Sequence, residues 1–145
     1  MSEHAILARL QAEGLRLTEP RRQVVQAIVA LGRPFSAEEL YHALQAANRP
    51  VGRATVFRTI DRLVAIGVLA RVHHPSGVHR YLLRGTEHRH HIVCVQCGTV
   101  AEFSGCNVDA LGAAVVAQTR FRVDGHWLEL FGLCARCQQE HHPLT

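Results

Sequence analysis

Two Cys-x₂-Cys knuckles, Cys94-Val95-Gln96-Cys97 and Cys134-Ala135-Arg136-Cys137, constrain this chain more than any other feature. Zinc takes four ligands in a tetrahedron and prefers thiolate and imidazole. Each knuckle bends back on one metal ion, so two of them complete a Cys₄ site. Their separation exceeds that of a simple zinc ribbon, so a structural element of some size lies between them. Three imidazoles, His88, His90 and His91, stand just before the first knuckle. Cys106 is the odd thiol, outside both pairs and expected to be dispensable.

The 145 residues suffice for one compact domain or two small ones. No apolar run reaches membrane-spanning length, and Arg9 and Glu13 interrupt the N-terminus, so neither a span nor a signal peptide is expected. The expectation is a cytoplasmic, reducing location, where paired cysteines mean metal more often than disulfides. All 16 basic side chains are arginine. Residues 1–84 hold twelve of them against six acids, a net of +6, and residues 85–145 hold four against six, a net of −2. A basic half without cysteines, joined to an acidic half with all of them, points to a nucleic-acid-binding module followed by a metal module.

The local patterns agree. His4 to Glu13 reads as a short helix ended by Gly14. Thr18 is placed to cap a second helix with Pro20 in its first turn and Val24, Val25, Ile28 and Val29 as its stripe. Ser36 and Glu39 form a capping box for a third helix that buries Leu40, Tyr41 and Leu44. A fourth runs from Arg53 to about Ile66, with Val56, Ile60, Leu63 and Val64 facing the core. Thr55, Arg58, Thr59 and Arg62 then point elsewhere, as does Phe57, whose ring suits either a thymine methyl, with Arg58 reaching phosphate or guanine, or packing against a neighbouring helix. Val68–Val72 and His79–Leu83 read as two strands around Pro75-Ser76-Gly77. Helices followed by a hairpin make a winged helix-turn-helix whose fourth helix lies in the major groove. Residues 85–87 read as the hinge. Beyond it, His91–Val95, Thr99–Phe103 and His126–Leu133 read as strands, and Asn107 as the cap of a helix carrying Val108, Leu111, Val115 and Val116. The fold class expected is α+β: a winged-helix domain over 1–84 and an α/β dimerisation and metal-binding domain over 88–145.

From Gly14-Leu15-Arg16-Leu17-Thr18-x-Pro20-Arg21 through Ser36-Ala37-Glu38-Glu39-Leu40-Tyr41 and Ala54-Thr55-Val56-Phe57-Arg58 to the last knuckle, the chain resembles the ferric uptake regulator (Fur) family of bacterial metal-dependent repressors. The resemblance implies a homodimer that binds an AT-rich palindromic operator in double-stranded DNA. It gives Arg16, Arg21, Arg53, Thr55, Phe57 and Arg58 as DNA-contacting candidates, with Arg16 near the minor groove. It implies a structural zinc on Cys94, Cys97, Cys134 and Cys137, and maps a second site to His88, His90, Asp109 and His126. At the third, regulatory site the chain departs from the family, because Arg89 stands where a histidine is usual and arginine cannot ligate metal. Only His91 and Glu102 match there; either the site is rebuilt with His79, His73 or His74 from the wing, His79 being preferred, or sensing has moved to His88, His90, Asp109 and His126. Zinc is the favoured effector, since imidazole dominates the available ligands; iron, manganese and peroxide sensing are the alternatives within the family. Outside it stand a zinc hydrolase, for which no substrate pocket is recognisable, and a thiol oxidoreductase. The latter ranks low because neither knuckle is expected at the start of a helix after a strand.

Overall fold

The computed structural model describes residues 1–85 and 89–140. The chain separates into two compact units, Met1–Thr86 and Glu87–Thr145. Of the expected hinge, residues 86 and 87 lie outside the described residues, and so does His88.

The first unit holds α1 (Glu3–Ala12), α2 (Glu19–Leu31), α3 (Ala37–Ala46) and α4 (Arg53–Ala65), followed by β1 (Leu69–Val72) and β2 (Arg80–Leu83). Each helix contributes a stripe to one core: Ile6 and Leu10, Val24, Val25 and Ile28, Leu40 and Leu44, Val56, Ile60 and Leu63 are all at most 1% exposed. Burial at the rate of about 25 cal/mol per Å² of apolar surface makes this cluster the main stabilising term of the unit. Ser36 and Glu39 form the expected capping box: Ser36 Oγ accepts from Glu39 N at 3.1 Å, and Glu39 Oε2 accepts from Ser36 N at 2.6 Å. Thr18 stands at the N-cap of α2 but makes no side-chain cap bond, while Ser2, not anticipated, caps α1 by accepting from Ala5 N.

Thr59 corrects the expected pattern of α4. It is buried at 1% exposure, and its hydroxyl donates to the Thr55 carbonyl at 2.7 Å, which satisfies the polar atom inside the core. The hairpin pairs Leu69 with Leu83 through Val72 with Arg80, antiparallel. Gly77, at φ +83°, completes the turn by donating to the His74 carbonyl at 2.8 Å. The wing is tied to the start of α3: Phe35 and Tyr81 exchange both backbone hydrogen bonds, at 3.0 and 2.8 Å.

The second unit holds β3 (His90–Cys94), β4 (Val100–Phe103), α5 (Val108–Thr119), β5 (Glu129–Gly132) and α6 (Ala135–Glu140). Its sheet runs in the order β4-β3-β5, with β3 antiparallel to β4 and parallel to β5. The parallel pairing needs a crossover, and α5 lies within it. Asn107 occupies the N-cap of α5 without a side-chain cap bond. The buried residues described in this unit are His90, Val93, Cys94 and Cys137. By contrast Leu111, Phe121, Trp127 and Phe131 are 64%, 73%, 69% and 49% exposed. The core described in this unit is therefore small, and large apolar side chains stand on its surface.

Candidate metal centres and nucleic-acid interface

The four knuckle cysteines converge. Cys94 ends β3, Cys97 lies in the turn that leads to β4, Cys134 follows β5, and Cys137 lies on α6. The parallel register sets Cys94 opposite Gly132, which brings the second knuckle to the first. All four are free thiols with their sulfurs within 4.8 Å of one another. The Cys97 and Cys134 Sγ atoms are 3.7 Å apart. A tetrahedron with metal–sulfur bonds of about 2.3 Å has edges of about 3.8 Å, so the donor set fits zinc.

Electrostatics around the sulfurs differ. The Thr99 hydroxyl, 3.1 Å from Cys97 Sγ, is the largest influence that brings the Cys97 thiol down to about 6. Burial is the largest influence that pushes Cys137 up to about 12. Arg136, an intervening residue of the second knuckle, is a neighbour the sequence reading missed. The Cys97 and Cys137 sulfurs, Cys97 foremost, raise the pKa of its guanidinium.

One expectation about the knuckles is overturned. Cys134 does stand at the start of a helix after a strand, between β5 and α6. Placement alone therefore does not set aside a redox role; the convergence of all four sulfurs does, because a dithiol exchange site uses one pair.

A second group forms on the same unit. His90, Cys106 and His126 bring their donor atoms within 4.8 Å of one another. The His90 and His126 rings are 5.2 Å apart, and Cys106 Sγ is 3.8 Å from His126 Nε2. Of the second site expected from sequence, His90 and His126 meet here. Asp109, exposed in the first turn of α5, is not in this group, and His88 lies outside the described residues. Cys106 takes part although the sequence reading left it out. The visible signal was a thiol just before the helix that follows β4.

Of the regulatory candidates, His91 and Glu102 are register partners across β3 and β4, with Nε2 and Oε1 3.5 Å apart. His79 belongs to the first unit, beside β2, where its ring stands edge-on to His73 at a centroid distance of 4.9 Å.

The DNA-contact candidates fall on and around α4. Arg58 is exposed, Phe57 is 36% exposed, and Thr55 is half-buried. The Arg53 guanidinium packs over both the Phe57 and Tyr41 rings, at 5.4 and 5.9 Å from their centroids, and pairs with Glu38. This holds the Phe57 ring at the helix surface. Arg16 is exposed, and its carbonyl accepts from the Arg21 guanidinium.

The model of the ferric uptake regulator family matches residues 12–131. The ferric uptake regulation protein of Neisseria meningitidis serogroup C is 32% identical over 139 residues, covering 95% of this chain and 96% of that protein. The crystal structure of the Vibrio cholerae ferric uptake regulator superposes with a TM-score of 0.71 at 31% identity, covering 86% of this chain and 96% of that one. The Pseudomonas aeruginosa ferric uptake regulator with manganese gives 0.70 at 30% identity, covering 93% and 99%. The two-unit α+β architecture, the convergent cysteines and these likenesses together establish that this chain belongs to the ferric uptake regulator family, whose members are metal-responsive, DNA-binding transcription regulators and not enzymes.

Proposed function

We propose that this regulator is a zinc-responsive repressor of metal-homeostasis genes that binds an AT-rich palindrome as a homodimer. The observation that carries the choice of zinc is the donor chemistry outside the structural Cys₄ group, where two imidazoles meet a thiol. Soft and borderline donors of this kind suit zinc better than iron(II) or manganese(II). Residues 1–84 form the DNA-binding domain. Its α4 presents Phe57 and Arg58 to the major groove, Arg53 and Thr55 support them, and Arg16 and Arg21 reach the flanking backbone. Residues 88–145 form the dimerisation domain, and the apolar side chains exposed on α5 and around β5 are the surface its partner covers. Cys94, Cys97, Cys134 and Cys137 hold a structural zinc.

The candidates for the sensor core are His79, His91 and Glu102, and those for the supporting site are His88, His90 and His126; Asp109, the fourth candidate from sequence, is not in the group that His90 and His126 form. For a near-complete switch, metal must favour the binding-competent state by about 5.5 kcal/mol. An iron-responsive reading is favoured by one observation, that the relatives are named ferric uptake regulation proteins. The test is operator binding titrated with Zn²⁺, Fe²⁺ and Mn²⁺ at fixed ionic strength. Zinc should act at the lowest free concentration; if iron or manganese does so, zinc is not the effector. In the same assay His79→Ala should be blind to metal. A wild-type response in His79→Ala, with a blind His90→Ala, reverses the order of the two sites.

A further inference from the structure

Cys106 is the one cysteine outside the knuckles, and the Cys₄ site makes no use of it. Three separate segments converge on it. His90 opens β3 and is 4% exposed, held with its ring 5.5 Å from that of Phe103, its register partner on β4. Cys106, half-buried, lies in the otherwise exposed link between β4 and α5. His126 lies on the stretch that leads into β5, and its Nε2 is 3.8 Å from Cys106 Sγ. A tetrahedral ion with a sulfur at about 2.3 Å and an imidazole nitrogen at about 2.0–2.1 Å sets those two donors about 3.6 Å apart. The observed separation is already close to that value. Asp109, three residues further on, is exposed and outside the group.

We propose that Cys106 is a thiolate ligand which, with His90 and His126, makes the second site of this unit a Cys-His₂ zinc site. The proposal rests on the reading that the unit binds a metal besides the Cys₄ zinc, and it changes what that site selects. A carboxylate such as Asp109 is a hard donor that serves manganese and iron as readily as zinc. A thiolate is soft and shifts the preference toward zinc. On binding, the metal–sulfur bond forms as the Cys106 S–H proton passes to solvent, and the two imidazoles bind as neutral donors. Among the described residues three donors meet here, one fewer than a tetrahedral ion takes.

The test uses the full chain carrying one zinc per protomer, with Co²⁺ added as the second metal. Elemental analysis of the same samples confirms that the first zinc stays in place. Wild type should develop a near-ultraviolet thiolate-to-cobalt charge-transfer absorption that saturates at one added equivalent. Cys106→Ser should lose that absorption and bind the second Co²⁺ or Zn²⁺ about a hundredfold more weakly, at or beyond the upper end of what losing an outer-sphere partner costs. Cys106→Asp should recover binding without the absorption and narrow the preference for zinc over manganese. Asp109→Ala should keep both the absorption and the affinity. The proposal is overturned if the absorption persists in Cys106→Ser, if wild type takes up no second metal or binds it without the absorption, or if Asp109→Ala alone abolishes uptake. Operator binding is followed separately. A wild type with the absorption but no metal-dependent operator binding defeats the regulatory reading and leaves the site standing.

Discussion

Cys97 and Cys134 are 37 residues apart in the chain and 3.7 Å apart at their sulfurs. Their unit buries very little else, so its stability depends on what joins those sulfurs. Metal-binding energy in such sites is folding energy, on the order of 10 kcal/mol or more for structural zinc. Cys94→Ser or Cys137→Ser should therefore lose zinc, cooperative melting and dimerisation together. Metal analysis, calorimetry and sedimentation of the same variant check this. A zinc-free variant with a normal melt and a normal dimer would remove the structural role.

The apolar side chains of α5 should lie in the dimer interface. Leu111, 64% exposed, should not tolerate a charge if a partner covers it. Leu111→Arg should yield a monomer that keeps the Cys₄ zinc. Sedimentation equilibrium decides the matter, and an unchanged dimer places the interface on another face.

Glu39 gives the first unit a defined response to acid. Burial opposes its ionisation, but the Ser36 N–H at 2.6 Å and the Arg80 guanidinium at 2.7 Å favour the carboxylate, and the net pKa is lowered. A lowered carboxylate contributes stability above its unfolded value, about 4.3, and loses it as pH falls through the folded value. Glu39→Gln keeps the shape of the capping box without the charge; Glu39→Ala removes both. The alanine variant should cost about 1 kcal/mol at neutral pH and the glutamine variant less. Denaturant melts from pH 7 downward should show the wild-type advantage over Glu39→Gln shrinking below about pH 4. An advantage that is constant with pH would assign it to packing.

Contacts to DNA separate into two kinds. Arg58→Ala and Arg16→Ala should weaken operator binding and lower its salt slope by roughly 1 each, as expected for lost phosphate contacts. Phe57→Ala should instead relax sequence preference while leaving the slope near wild type. Arg53→Ala should resemble Phe57→Ala, because the Arg53 guanidinium packs on the Phe57 ring. Fluorescence anisotropy over a salt series, on specific and scrambled duplexes, distinguishes the two. Unchanged affinity in all four variants, with the dimer intact, would move the interface off α4.

The sequence alone determined the parts governed by local rules. The period of Val56, Ile60 and Leu63, the Ser36–Glu39 capping box, the Pro75-Ser76-Gly77 turn and the paired knuckles are encoded within a few residues of themselves, and each forms where expected. Only the tertiary structure decided what depends on distant neighbours. Thr59 goes inside because neighbouring elements cover its side of α4, and its hydroxyl is then satisfied within the helix by the Thr55 carbonyl. Thr18 and Asn107 hold cap positions without making cap bonds. Cys106 meets His90 and His126 because the sheet order β4-β3-β5 and the approach to β5 bring three separate segments to one point. Helical and turn preferences act over one or two turns of chain, so spacing reveals them. A ligand group assembled from strands and loops is set by sheet pairing, which no local spacing records.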